Sequence, residues 1–367
     1  MNPLMSGLSI CNTSTQRIDT PSYNFFTIAP DCTVYRKIKI KRGEEEEEEE
    51  VTCLVEFFIE FKSSAEHDPF LVATGPAPVR GNKRGQAHFL SGLTGRRHHT
   101  LSQLGTYAAI HIDSQYRAHT FLVLIIGTYA RLIRWDRGGM VFTEAIPYNV
   151  NPEFFNFFKY YNDASFDVRG IDSIMTKPTD PEIQTTLGTW TSGVDDESQT
   201  FLVISLCNEA GHAQRYVIPS PYPRPSLPVG RCTRTSVAYD LQNNVGVYMK
   251  AFWRIVLNDN DIKEGEVYQV LSKANVRNIP RCVAFCDFQD QYHQTQTHTF
   301  AGESWLPQGY EYLIPHRRLH CLILDTEGKK LEDFTTSKEM VRAIHAAIIG
   351  TGLPGCDFIC QTLTCDL

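Results

Sequence analysis

The sequence predicts an α+β protein built as two domains in series. Stretches of apolar–polar alternation and short continuous apolar runs read as strands, and separate blocks with three-to-four spacing read as helices. Length supplies the third observation, since 367 residues exceed what one hydrophobic core usually organises. Hydrophobic residues make up 42% and aromatics 11%, a globular balance rather than a disordered one. The net charge of -7 names no partner, because seven glutamates fall in one run at 44–50 and the remainder is close to neutral.

Eleven cysteines are scattered without paired spacing, and Cys282-x3-Cys286 and Cys356-x3-Cys360-x4-Cys365 match no zinc pattern. An odd count with no framework predicts a reduced, intracellular protein of cytoplasm or nucleus. No basic segment followed by an apolar run stands at the first residues, so no secretory leader is expected. The most hydrophobic stretch, 121–126, is too short to span a bilayer, so no membrane partner is expected.

The first 22 residues are polar and aperiodic and read as a loose, disordered end. Residues 25–40 and 51–62 read as strands, and the glutamate run between them as a solvated loop, because adjacent like charges repel. From 71 to 99, Gly, Pro and cations predict a long surface loop. Its Arg80, Lys83, Arg84, Arg96 and Arg97 are expected to be solvated rather than to bind nucleic acid. Leu101, Leu104, Ala108 and Ile112 share one face of a helix over 100–116, and 119–126 is a buried-type strand. Strands at 129–135 and 140–148 pair across a turn at 136–139, whose Arg134, Asp136 and Arg137 read as a salt-bridged brace. Asn151 and Pro152 start a helix that carries the aromatic run FFNFFKYY. These elements make a first domain over 23–172.

Residues 173–198, with two prolines, several threonines and an acidic triplet, read as a linker. A second domain over 199–324 follows, with strands at 200–207, 215–218, 234–241 and 245–253, a helix at 264–273, and strands near 277–284 and 319–324. Over 325–350, Thr336 and Glu339 form a capping box that opens a helix with Met340, Ile344 and Ile348 on one apolar face. Gly350, Gly352 and Pro354 end that helix before an irregular tail at 351–367.

Two constellations carry chemistry. In the first, Asp31 stands on one strand, Glu60-Phe61-Lys62 on the next, and Gln103-x3-Tyr107 on the helix. Asp31 and Glu60 are placed to share Mg2+, a cation that prefers hard oxygens. Lys62 faces the same side as Glu60, to orient water and stabilise charge on a scissile phosphate. This set, in the order strand, strand, helix, strand, resembles the PD-(D/E)xK nuclease fold. The resemblance implies a restriction-endonuclease-like first domain and Mg-dependent cleavage of nucleic acid; the competing reading is a structural relic.

In the second, Lys250 lies inside an alternating strand, where a cation is costly to bury unless paired. The next helix opens with Glu264-Gly265-Glu266. Glu264 is the expected partner, because Val267, Tyr268 and Leu271 then face the core; Glu266 is the alternate. A strand lysine held by a helix glutamate grips ATP phosphates in a protein kinase small lobe. The motifs GRCTRTSVAYD, VGVYMKAFW, KEGEVYQVL, NVRNIPRCV and LHCLILDTEGKKLEDFTTSKEMVRAIHAAI occur in the order of the fungal-type protein kinase family, with YARLIRWDRGGMVFTEAIPY and VRGID upstream. The chain resembles that family over most of residues 24–350.

The resemblance implies a small lobe with Gly230 in a single-glycine phosphate loop, Lys250 on the α- and β-phosphates, and a hinge opening at Asp325. It also implies ATP and Mg as cofactors and Ser/Thr phosphoryl transfer to a protein substrate. No H-R-D-type loop or D-F-G-type triplet follows, and Cys356-Asp357-Phe358-Ile359 carries Ile where Gly belongs. The chain is therefore expected to be a truncated, inactive member with only the start of a large lobe, or a non-catalytic binding or scaffold protein. His293 and His298, on a polar excursion, are not expected to hold a metal.

Overall fold

A computed structural model describes residues 7–16, 28–36, 38–42, 45–49, 54–70, 95–189, 200–207, 213–220, 227–258, 261–306, 314–327 and 333–351. The chain divides into two compact units. One comprises Met1–Asp172, Pro221–Gly230 and Thr295–Ile314; the other comprises Ser173–Ser220, Arg231–Gln294 and Pro315–Leu367. Two stretches of the expected second domain therefore pack with the first unit.

In the first unit the elements in chain order are β1 (Leu8–Asn12), β2 (Cys32–Arg36), β3 (Ile38–Arg42), β4 (Glu45–Glu49), β5 (Val55–Lys62), α1 (Gly95–Ser114), β6 (His119–Ile126), β7 (Tyr129–Asp136), β8 (Gly139–Phe142) and α2 (Glu153–Asp163). Six strands make one sheet in the order β1-β2-β5-β6-β7-β8. The β5–β6 pair is parallel, so the chain between them must cross over, and α1 lies on that crossover. Period-2 geometry sends Phe58, Leu122 and Leu124 to one face, where Leu104, Tyr107 and Ala108 of α1 cover them. Phe57, Ile59 and Val123 point the other way, against Phe154, Phe158 and Tyr161 of α2. The result is a helix–sheet–helix sandwich in which each enclosed Leu, Ile or Phe contributes roughly 1.5–3 kcal/mol.

Charge is also buried here. Glu56, fully enclosed, binds Arg36 Nε at 3.2 Å, Arg117 at 3.7 Å, Arg169, and the Tyr161 hydroxyl at 2.9 Å. The hairpin tip is the expected brace. Asp136 accepts from Arg134 at 2.7 Å and from the backbone N–H groups of Gly138, Gln296 and Thr297, while Arg137 bonds Asp113 at 2.8 Å.

The second unit holds β9 (Met175–Thr176), α3 (Asp180–Thr189), β10 (Phe201–Cys207), β11 (Ala213–Pro219), β12 (Arg234–Asp240), β13 (Val245–Ile255), α4 (Glu264–Lys273), β14 (Cys282–Asp287), β15 (Arg317–Leu324) and α5 (Ser337–Thr351). Seven strands form an antiparallel sheet in the order β14-β15-β13-β12-β11-β10-β9. The β12–β13 turn uses Asn244 at φ 54°, while the Asp240 carboxylate accepts from the N–H groups of Gln242 and Asn243. At α5, Glu339 N–H donates to Thr336 Oγ1 at 3.2 Å, and the Glu339 carboxylate accepts from Thr335 N–H at 2.8 Å.

Several sequence expectations give way. Part of the end expected to be loose is a strand, β1, paired with β2. The expected 25–40 strand is two strands in different sheets, β2 beside β1 and β5, and β3 beside β4. Part of the glutamate run is not a loop but β4, in register with β3 from Ile38↔Glu49 to Arg42↔Glu45. Charge repulsion argues against burial of such a run, not against backbone pairing. The expected linker contains β9, which adds to the sheet beside β10, and all of α3. Residues 71–94 of the basic loop and 352–367 of the tail lie outside the described residues. Among those described, no helix is long and apolar enough to cross a membrane.

Candidate functional site

Alternation along β13 turns Val247, Met249 and Ala251 into the core of the second unit and leaves Lys250 between Tyr248 and Phe252 on the opposite side of the strand. Tyr248 and Phe252 pack there with Tyr268 of α4 and with Cys282, Phe285, Leu322 and Leu324. The helix approaches closely because its second residue is glycine: a β-carbon on Gly265 would lie 2.2 Å from the Phe285 ring. That approach sets Glu264 Oε1 3.0 Å from Lys250 Nζ, with the two side chains 2% and 14% exposed. Glu266, the alternate partner, instead closes its own helix, accepting from Lys263 N–H at 2.9 Å and Lys263 Nζ at 2.8 Å.

Sequence reasoning did not foresee a third member. Arg231 Nη2 bonds the other oxygen of Glu264 at 3.0 Å, and its guanidinium lies 4.1 Å from the Phe252 ring centroid. Arg231 precedes β12 and belongs to no periodic pattern, so only its place in the GRC motif marked it. An enclosed carboxylate is costly unless compensated, and here two cations share it. Arg231 and Glu264 also line a cavity of about 680 Å3 with Arg317, Trp253, Ile262 and Val267. That volume lies within the range of small-molecule sites, roughly 300–1,000 Å3.

The remaining candidates of this constellation are engaged elsewhere. Gly230, at φ +110°, donates its N–H to the Arg137 carbonyl at 2.9 Å within the first unit. Asp325, just past β15, donates its N–H to the Arg281 carbonyl at 3.0 Å, and its carboxylate accepts from Arg281 N–H at 2.9 Å.

In the first unit four of the other five candidates meet, and Asp31, one residue before β2, lies beside them. Lys62 Nζ donates to Glu60 Oε1 at 2.5 Å and to Gln103 Oε1 at 3.1 Å. Gln103 Nε2 donates to the Tyr107 hydroxyl at 2.7 Å, and that hydroxyl donates to Glu60 Oε2 at 3.2 Å, closing a ring of four side chains. Asp31 Oδ2 accepts from Phe61 N–H at 2.8 Å. Burial raises the Glu60 carboxyl above its ordinary range against the pull of Lys62, and Asp31 raises it further. Burial also raises the Tyr107 phenol, with Glu60 adding to the effect. His293 bonds Asp290 at 2.7 Å, and no group of three side chains able to hold a metal occurs among the described residues.

A family model described as fungal protein kinase matches residues 88–352. No curated protein and no solved structure matches the chain.

Proposed function

The chain belongs to the fungal protein kinase family, and from that premise we propose that β11 to β15 with α4 form a kinase small lobe that grips an adenine nucleotide by its phosphates. One observation carries the reading: the 3.0 Å ion pair between Lys250 and Glu264. Counting from β11, the lysine lies on the third of three neighbouring antiparallel strands, and the glutamate opens the helix that follows. In phosphoryl transfer such a lysine meets the phosphates while the glutamate holds it in place. The donors suit phosphate oxygens, because two cations on one carboxylate leave a surplus of positive charge. Glu264 is engaged by both, so Mg2+ would be carried by the phosphates.

ATP supplies the transferable phosphoryl group when bound. Transfer also requires an aspartate for the substrate hydroxyl and a metal-holding aspartate, and no H-R-D or D-F-G triplet occurs in the 367 residues. Residues 1–367 are therefore proposed to hold nucleotide, as a binding or scaffold module, without themselves supplying the groups that transfer needs. Calorimetry with ATP tests it. Heat of binding that vanishes in Lys250→Ala is expected; no binding by the wild-type chain overturns the reading, and phosphate transfer abolished by the same substitution overturns the inactivity.

A second reading concerns the first unit, and the ring formed by Glu60, Lys62, Gln103 and Tyr107 beside Asp31 favours it. Mg2+ is held by one or two carboxylates, waters and substrate phosphate, which two acids satisfy. We propose a nuclease-like centre. Water adds to phosphorus, the bond to the departing sugar oxygen breaks, and the proton lost by water ends on that oxygen; Lys62 stabilises the charge that builds on phosphate. Mg2+-dependent cutting of DNA or RNA that disappears in Glu60→Ala and Lys62→Ala is expected. Intact nucleic acid at high protein concentration would end this reading.

A further inference from the structure

We infer that Arg231 is a second phosphate-binding residue, gripping the terminal phosphates where a glycine-rich loop would use backbone amides. The inference rests on the small-lobe reading above and deepens it. A loop that covers phosphates needs N–H groups pointing at them. The lone glycine here, Gly230, has its N–H donated to the Arg137 carbonyl at 2.9 Å. That amide is thus taken, and a side chain next to it is the alternative source of the grip.

Arg231 is placed for that task. Its carbonyl accepts from Trp253 N–H at 2.8 Å, which pins its backbone beside β13. Its guanidinium rests on Phe252, 4.1 Å from the ring centroid, and one nitrogen binds Glu264 at 3.0 Å. The side chain is still 32% exposed and lines the cavity of about 680 Å3 together with Arg317. A planar guanidinium matches phosphate oxygens two at a time, which an ammonium cannot do.

Charge in the cavity points the same way. Burial lowers the Arg317 guanidinium below its ordinary range, and the nearby Arg231 adds to the effect. Of the other lining charges, Arg254 is bound to Asp287 at 2.6 Å, and Asp261 stays anionic while accepting from the N–H groups of Leu257 and Asn258 at 2.6 and 3.1 Å, so the cations Arg231 and Arg317 carry the attraction. Arg231 and Lys250 meet at Glu264, each on its own carboxylate oxygen. Lys250 keeps its oxygen of Glu264 throughout.

The test compares ATP with AMP by calorimetry on the wild-type chain, Arg231→Ala, Arg231→Gln and Lys250→Ala. Arg231→Gln keeps a stem over Phe252 and a donor for Glu264, so it separates loss of charge from loss of fold. The wild-type chain is expected to bind ATP more tightly than AMP. Both Arg231 variants should weaken ATP roughly tenfold to a hundredfold while leaving AMP unchanged. If Arg231→Gln keeps the full preference for ATP while Lys250→Ala loses it, the role of Arg231 is overturned and the small lobe stands. If the wild-type chain binds neither nucleotide, both fall.

Discussion

Gly265 lies against Phe285 so closely that a β-carbon would stand 2.2 Å from Cγ of the ring, and this contact seats Glu264 3.0 Å from Lys250. Gly265→Ala is expected to lift the first turn of α4 from β14. Overpacking of this kind costs about 1–3 kcal/mol. A urea titration should show that loss, and under the proposed nucleotide grip ATP binding should weaken with it, although neither Lys250 nor Arg231 has changed.

Glu264 holds two cations, whereas Lys250 gives up one carboxylate, so the two truncations should differ. Glu264→Gln leaves Lys250 and Arg231 facing each other and is expected to cost about 3 kcal/mol. Lys250→Met leaves Glu264 still bonded to Arg231 at 3.0 Å and should cost about 1–2 kcal/mol. Unfolding free energies of the single and double variants form a cycle. Additive losses would show that the pair is not coupled.

Glu56 anchors the first unit by gathering Arg36, Arg117 and Arg169 around one enclosed carboxylate. Glu56→Gln keeps the shape but leaves three guanidiniums without their anion. The expected cost is about 3–5 kcal/mol, read as a lower denaturant midpoint. A loss below about 1 kcal/mol would mean that the network is compensated from elsewhere.

His119 predicts how stability changes with pH. Burial, aided by Arg134, lowers its pKa from the ordinary 6.5 to about 3 in the folded chain. Between those values the unfolded chain binds a proton and the folded chain does not. Stability is therefore complete above about 6.5 and falls as the pH drops, by about 1.4 kcal/mol per pH unit at the steepest. Buried His111 is lowered by burial and then by Arg117, and acts in the same direction. Unfolding measured at pH 7, 6 and 5 should show a shallower slope in His119→Gln, which retains a donor for the Val168 carbonyl.

Strong local patterns survive into the structure with little change. The helix expected at 264–273 is α4 (Glu264–Lys273), and the apolar run at 119–126 is β6 (His119–Ile126). Lys250 and Glu264 were legible together because a cation in a strand and an acid at the next helix start each stand out locally. Arg231 was not legible, since a residue outside any period shows no direction until the sheet is assembled. Neither were β1, β4 and β9, which are defined by the strands they pair with.

The order of residues by itself determined the alternations, the helix periods and the choice of charged residues, because those follow from bonds and neighbours a few positions away. Only the tertiary structure decided which oxygen each cation or amide reaches: Glu56 with arginines 61 and 113 positions later, Glu264 with Arg231 33 positions earlier, the Gly230 N–H with the carbonyl of Arg137. The physical reason is that a buried charge or amide takes whatever partner folding delivers within about 3 Å, and that distance is not encoded in sequence separation.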